Sequence, residues 1–218
     1  TVAAFEEYSR AVVQKLGDRV NRWFTINEPW CAWWLGHKLG IHAPGTQEDE
    51  KTLRNVSHHL LLAHGVAVRA IREEAQKDVK VGIVHNAAVT IPFSEDQEDV
   101  AVSKEAFQKD NSWLIQPVME GSYPRDQWEA LGKDVPDVNE GDLELISAKT
   151  DFFGINIYNA LGVAVAGKGI REYEAWHPRT DFDWPVTPEC LSWAVRHTHD
   201  LWDVPEILIT ENGCAYPD

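Results

Sequence analysis

Two short motifs hold the residues best suited to chemistry: T-I-N-E-P at Thr25 to Pro29 and I-T-E-N-G at Ile209 to Gly213, each setting a glutamate at the end of an apolar, β-branched run. Two carboxyl groups held by one rigid frame can divide a substitution between them. One protonates the departing group while the other attacks or positions water. A lone glutamate is ordinarily a solvated or ion-paired surface group, and the flanks are what change the reading here. Asn27 directly precedes Glu28, where its amide can hydrogen-bond a hydroxyl beside the reacting carbon, and Gly213 allows a sharp turn just after Glu211.

The elements that must position these glutamates can be read from hydrophobic spacing. Phe5 to Leu16 recurs at three and four residues, as an amphipathic helix requires, and Gly17-Asp18 ends it. Arg22 to Asn27 is a short buried strand stopped by Pro29, followed by a loop from Gly36 to Gly45. Val56 to Glu74 is a long helix, Val79 to Val84 a second strand, and Val100 to Trp113 and Asp142 to Ala148 further helices. Asp151 to Tyr158 is a third strand with an extra pair around Leu161 to Ala166. Glu189 to Leu201 is a helix, and Glu206 to Thr210 a fourth strand running into Glu211.

Helices alternate with strands, and the crossovers are long enough for parallel pairing, so the class is α/β. Strands near Arg22, Val79, Phe152 and Ile207 are expected to lie parallel and adjacent in that order, with helices on the outer face. Four such strands leave two open edges that a closed eight-stranded ring would pair. The expected architecture is therefore a partial (β/α)8 TIM barrel of about four strands, with residues 1–218 as a single domain. In a ring of eight, strands ending in Glu28 and Glu211 stand nearly opposite, and a bond held between them is flanked on both sides. Self-association through the open edges is a further expectation.

Composition removes several classes of function. Of 218 residues, 44% are hydrophobic and 25% charged, which suits a chain that buries a core. Lys and Arg total 20 against 35 Asp and Glu, and a net charge of -15 repels nucleic acid and anionic membrane surfaces. No apolar run is long enough to span a membrane, and the N-terminus lacks the pattern of a signal peptide. Cys31, Cys190 and Cys214 are widely spaced and form no C-x-x-C pair, which fits packing in a reducing, cytoplasmic setting; the compartment is otherwise unassigned. The 10 tryptophans are spread along the chain, a pattern that core packing accounts for as readily as a sugar-binding surface does.

Other clusters are weaker. His58, His59 and His64 do not share the four-residue spacing that aligns two ligands on a helix face, so no metal is expected, and His59 or His64 is read as a packed core residue. Gly36, Gly40 and Gly45 lack the strand-to-helix setting of a phosphate loop, which removes a nucleotide site.

The sequence resembles glycoside hydrolase family 1, the β-glucosidase family. The likeness rests on W-F-T-I-N-E-P-W (Trp23 to Trp30), A-P-G (Ala43 to Gly45), H-H-L-L-L-A-H-G-V-A-V (His58 to Val68), D-F-F-G-I-N-I-Y (Asp151 to Tyr158) and I-T-E-N-G, in the family's order across nearly the whole chain. It implies an internal fragment covering about strands four to seven of the catalytic barrel. It also implies retaining hydrolysis of β-linked glycosides without metal or organic cofactor, with Glu28 as acid/base and Glu211 as nucleophile. Asn27 is then expected to bind the sugar 2-hydroxyl, Tyr158 to hydrogen-bond the nucleophile, Asn156 to support the site of the attacked sugar and Trp30 to line the leaving-group side. Ile157 and His37 stand where tyrosine is common in the family.

The partner implied is a β-glucoside or related small carbohydrate. Two alternatives stay open on the sequence: a 6-phospho-β-glycosidase, and a catalytically silent carbohydrate-binding or scaffold protein of the same fold. The family's sugar-binding Gln and His from earlier strands and its Trp- and Glu-containing last strand are not in this chain, so the fragment alone is expected to be nearly inactive.

Overall fold

A computed structural model describes residues 1–217. In chain order its elements are α1 (Val2–Leu16), β1 (Arg22–Asn27), a wide helical segment at Cys31–Lys38, α2 (Glu50–Glu74), β2 (Lys80–Asn86), β3 (Val89–Pro92), α3 (Gln97–Glu120), α4 (Arg125–Leu131), a short turn of helix at Gly132–Asp134, α5 (Asp142–Ile146), β4 (Phe152–Asn156), β5 (Ala160–Val165), β6 (Gly169–Arg171), α6 (Cys190–Leu201) and β7 (Ile207–Glu211).

The four expected strands are neighbours in the expected order, β1-β2-β4-β7. β1 and β2 pair in parallel. The backbone ties of the other neighbours climb both strands together, which is the parallel sense: Asp151 N–H to Val81 C=O and Ala87 N–H to Asn156 C=O, then Phe153 N–H to Glu206 C=O and Ile157 N–H to Glu211 C=O. Central β2 and β4 are almost wholly buried, as parallel strands covered on both faces must be, whereas edge strands β1 and β7 leave Phe24 and Ile209 exposed.

The chain divides into two compact units. The first comprises Thr1–His85, Ser112–Gly154 and Val204–Leu208. Its core joins Val13 of α1, Val68 and Ile71 of α2 and Val81 of β2, with Trp23 and Val79 packed against them. Arg10 ties the two helices by reaching Glu6, Glu73 and Glu74. Gly65 lets α2 approach α5 closely: a Cβ there would lie 2.4 Å from the Leu145 carbonyl oxygen. The second unit comprises Asn86–Asn111, Ile155–Asp203 and the residues from Ile209 onward. It holds a three-stranded sheet in which β5 pairs in parallel with β3 and antiparallel with β6, and Phe107 packs on His197 and Trp202.

Differences from the sequence-based expectation have local causes. β3 was not foreseen because it is four residues long and ends at Pro92; as the edge strand of its sheet it tolerates a residue without an N–H. α2 begins at Glu50 rather than Val56, because the Asp49 carboxylate accepts the Thr52 N–H at 2.8 Å and caps the helix earlier. α3 continues past Trp113 to Glu120 with Pro117 inside it. α4 was also not foreseen. The paired strands expected near Leu161 to Ala166 are β5 and β6.

Two of the three α2 histidines, His58 and His64, are buried and serve packing. The ring nitrogens of His58 face the Tyr123 hydroxyl at 2.9 Å and the Asp142 carboxylate at 3.1 Å. His64 is buried as expected, with Nδ1 2.7 Å from the Thr25 hydroxyl, while His59 is exposed. Burial pushes the imidazoles of His64 and His85 down to about 3, so both are neutral in the folded protein. Their unfolded counterparts titrate near 6.5. Between the two values the unfolded chain binds more protons, and stability is lost as pH falls below about 6.5, by about 1.4 kcal/mol per pH unit for each ring. Chemical denaturation at pH 7 and pH 5 is therefore expected to show a drop of several kcal/mol in a range where most carboxylates stay ionised. Equal stability at the two pH values would contradict the neutral, buried state.

Candidate active site

The first motif is built at the end of β1. Register between β1 and β2 shifts between Phe24 and Asn27, an irregularity of the kind that re-aims side chains at strand ends. Within the shifted stretch, Thr25 sits between His64 Nδ1 and the Gly82 carbonyl, which pins the strand to α2 and β2. Glu28 follows with φ +48, a left-handed conformation rarely adopted outside glycine, asparagine and aspartate. That conformation is held from both sides: the Glu28 N–H donates to the Val84 carbonyl at 2.9 Å, and its carbonyl accepts the Cys31 N–H at 2.9 Å. The Cys31 thiol donates to Glu28 Oε2 at 3.0 Å.

Beyond the glutamate the chain enters the Cys31–Lys38 helical segment, whose Leu39 N–H reaches the Trp34 carbonyl five residues back. Trp33 is buried there, and the Arg54 guanidinium lies over its ring at 5.1 Å and over that of Trp113 at 4.5 Å. Asn27 is exposed, and Glu28 and Trp30 are half-buried. The motif is thus rigid at its back and open at its tip.

The second motif belongs to the other unit. Tyr158 donates its hydroxyl to Glu211 Oε2, and the Ile157 N–H donates to the Glu211 carbonyl at 3.0 Å. Asn212 Nδ2 donates to the Ile157 carbonyl at 2.8 Å, so the residues either side of the β7 end are fastened to the β4 end. Buried Asn156 accepts the Thr210 hydroxyl at 2.5 Å through Oδ1. Asn156, Tyr158 and Glu211 are therefore brought together, and one carboxylate oxygen of Glu211 is oriented by a phenol. A carboxylate so held can attack or stabilise a developing positive charge.

Two side chains here were not picked out from the sequence. Cys31 lies one helical turn beyond Glu28, a spacing that becomes meaningful only once Pro29 and Trp30 are seen to start a helix. Trp184 lies in a stretch without helical or strand periodicity, and its ring centre stands 5.5 Å from that of Tyr158. Among the described residues no group of three or more His, Cys, Asp or Glu is placed to hold a metal ion, and no helix is long and apolar enough to cross a membrane. A cavity of about 380 Å³ lined by Arg72, Lys77, Lys149 and Asp151 lies at the N-terminal end of β2 and β4.

Comparison with known proteins is consistent across sequence and structure. The family described as glycosyl hydrolase family 1 matches residues 1–218. A beta-glucosidase of an Agrobacterium species is 41% identical over 99% of this chain and 48% of its own length. The virulence factor SghA from Agrobacterium tumefaciens superposes with a TM-score of 0.84 at 37% identity, covering 99% of this chain and 49% of that one. Thermotoga maritima beta-glucosidase in complex with deoxynojirimycin gives 0.84 at 34% identity, covering 100% and 49%. The chain thus spans about half the length of the curated relatives it matches, and its strands and helices are those of a partial (β/α) barrel.

Proposed function

The chain belongs to glycosyl hydrolase family 1, and on that ground we propose that it is part of the catalytic barrel of a retaining β-glycosidase in which Glu211 is the nucleophile and Glu28 the acid/base. The observation that carries the reading is the hydrogen bond from Tyr158 to Glu211 Oε2 at the β4 and β7 ends. It orients the carboxylate and leaves Oε1 as the attacking atom.

The reaction then runs in two steps. Glu211 Oε1 bonds to the anomeric carbon as the bond to the leaving oxygen breaks, and the carboxyl proton of Glu28 passes to that oxygen. Glu28, now a carboxylate, takes a proton from water as the water oxygen attacks the same carbon and the bond to Glu211 breaks. Asn27 hydrogen-bonds the 2-hydroxyl of the attacked sugar. Asn156, fixed by Thr210, supports the same sugar, and Trp30 lines the leaving-group side. The substrate is a plain β-glucoside or a close relative, in keeping with the beta-glucosidases to which the chain is similar.

Covalent trapping tests the assignment. A 2-deoxy-2-fluoro-β-glucosyl fluoride, which slows both steps but carries an excellent leaving group, is expected to accumulate as an ester on the peptide containing Glu211 in the complete protein. Mass spectrometry reads the labelled residue directly. Label on another residue, or continued turnover without label, would remove Glu211 from the role. The 218-residue chain alone, which spans about half the length of the relatives it matches, is expected to label slowly or not at all.

A further inference from the structure

The two steps of the proposed reaction ask opposite things of Glu28. It must carry a proton when the leaving group departs and be ionised when water attacks. A partner that fixes its carboxyl through the whole cycle therefore has to suit both states. A lysine or arginine would not, since a fixed positive charge favours the ionised form and holds back the proton. A neutral donor does, because a carboxylate and the carbonyl oxygen of a carboxylic acid both accept a hydrogen bond.

The Cys31 thiol is such a donor, reaching Glu28 Oε2 at 3.0 Å. Its place is set by the backbone. Glu28 at φ +48 turns the chain so that its own carbonyl accepts the Cys31 N–H at 2.9 Å, and the two side chains, three residues apart, meet. The helical segment that begins at Cys31 is anchored in turn. Trp33 is buried under the Arg54 guanidinium, which is paired with Glu50 at 2.6 Å, and the Ala43 backbone approaches Gly36 more closely than a Cβ would permit. Half-buried Cys31 is thus carried on a rigid support beside the carboxyl it touches.

We propose that Cys31 is a positioning residue for the acid/base: its thiol holds Oε2, so that Glu28 presents Oε1 to the leaving oxygen and later to water. The proposal rests on the glycosidase reading and deepens it. In the first step the S–H donates to Oε2 while the proton on Oε1 passes to the leaving oxygen. In the second the S–H still donates to Oε2, and Oε1 takes the proton of the attacking water. The thiol gives up no proton and forms no covalent bond in either step.

The test measures kcat and kcat/KM in the complete protein on aryl β-glucosides whose leaving groups range from a dinitrophenolate to an unactivated phenolate. Cys31→Ala is expected to lower kcat/KM on the least acidic leaving groups about fivefold, the effect of one neutral hydrogen bond. On the dinitrophenyl substrate kcat/KM, which reports the first step, should stay within about twofold, while kcat, limited by the water step, falls about fivefold and KM with it. Cys31→Val, which fills the space of the thiol without a donor, should behave as alanine does, and Cys31→Ser, which keeps a neutral donor, should restore both quantities to within about twofold. Equal losses of kcat/KM on all substrates, no loss in either donorless variant, or failure of serine to restore the pattern would overturn the proposal while leaving the glycosidase reading standing. Absence of phenol release by the unaltered protein would remove that reading and the proposal with it.

Discussion

Glu211→Gly in the complete protein is expected to lower turnover of every β-glucoside by about four powers of ten or more, whatever the leaving group. If Glu211 is the nucleophile, the substitution deletes the atom that forms the covalent bond, so both chemical steps are lost together and a better leaving group recovers neither. At about 1.4 kcal/mol per power of ten, this corresponds to a barrier raised by more than 5 kcal/mol. A purely structural role for Glu211 predicts a different pattern. Its ties to the neighbouring strand run through its backbone carbonyl as well as through Tyr158, and glycine keeps the backbone tie, so the fold should persist. The decisive readout is chemical. Azide can enter the space left by the side chain and attack from the nucleophile's side, so the glycine variant supplied with azide and an activated β-glucoside should release an α-glucosyl azide. Proton NMR reads the anomeric configuration. A β-azide from this variant, or wild-type rates without azide, would reverse or remove the assignment.

How much of this was legible beforehand depended on whether the signal was local. Phe152 to Asn156 could be read as a buried strand because every residue in it is covered, and a run of that kind has few other uses. The parallel sense of the four neighbours followed from the length of the crossovers between them. β3 escaped because Val89, Thr90 and Ile91 are only three β-branched residues before a proline, and their partner β5 lies some seventy residues away in sequence. The segment from Cys31 to Lys38 escaped because Gly36 looks like a helix breaker, whereas it is buried in a widened helix where a Cβ would lie 2.5 Å from the Ala43 carbonyl oxygen. In the site, the glutamates stood out through their flanks. The left-handed backbone of Glu28 did not, since glutamate carries no bias toward that conformation. Trp184 owes its placement to a turn closed by backbone bonds, and such turns leave little trace in residue type when Asp183 fills a position that glycine would ordinarily take.

Glu28→Ala is expected to separate substrates in a way that Glu211→Gly does not. If Glu28 is the acid/base, its loss removes proton donation to the leaving oxygen, so glucosides with poorly acidic leaving groups should slow by several powers of ten. One carrying a dinitrophenolate should still form the glycosyl-enzyme at a comparable rate. The second step then lacks its base, so the intermediate accumulates and a burst of released phenolate precedes a slow steady state. Azide needs no deprotonation to attack. It is expected to speed that steady state and, coming from the face opposite Glu211, to give the β-glucosyl azide. The residues around Glu28 sharpen the test, because alanine removes the carboxylate contact with the Cys31 thiol but leaves the backbone bonds to Val84 and Cys31 in place. A left-handed alanine in that position carries strain of order 1 kcal/mol, too little to account for a leaving-group-dependent loss of several powers of ten. Uniform loss across all leaving groups would therefore mean that Glu28 holds structure instead of moving a proton, and an α-azide from this variant would mean that the two glutamates exchange roles.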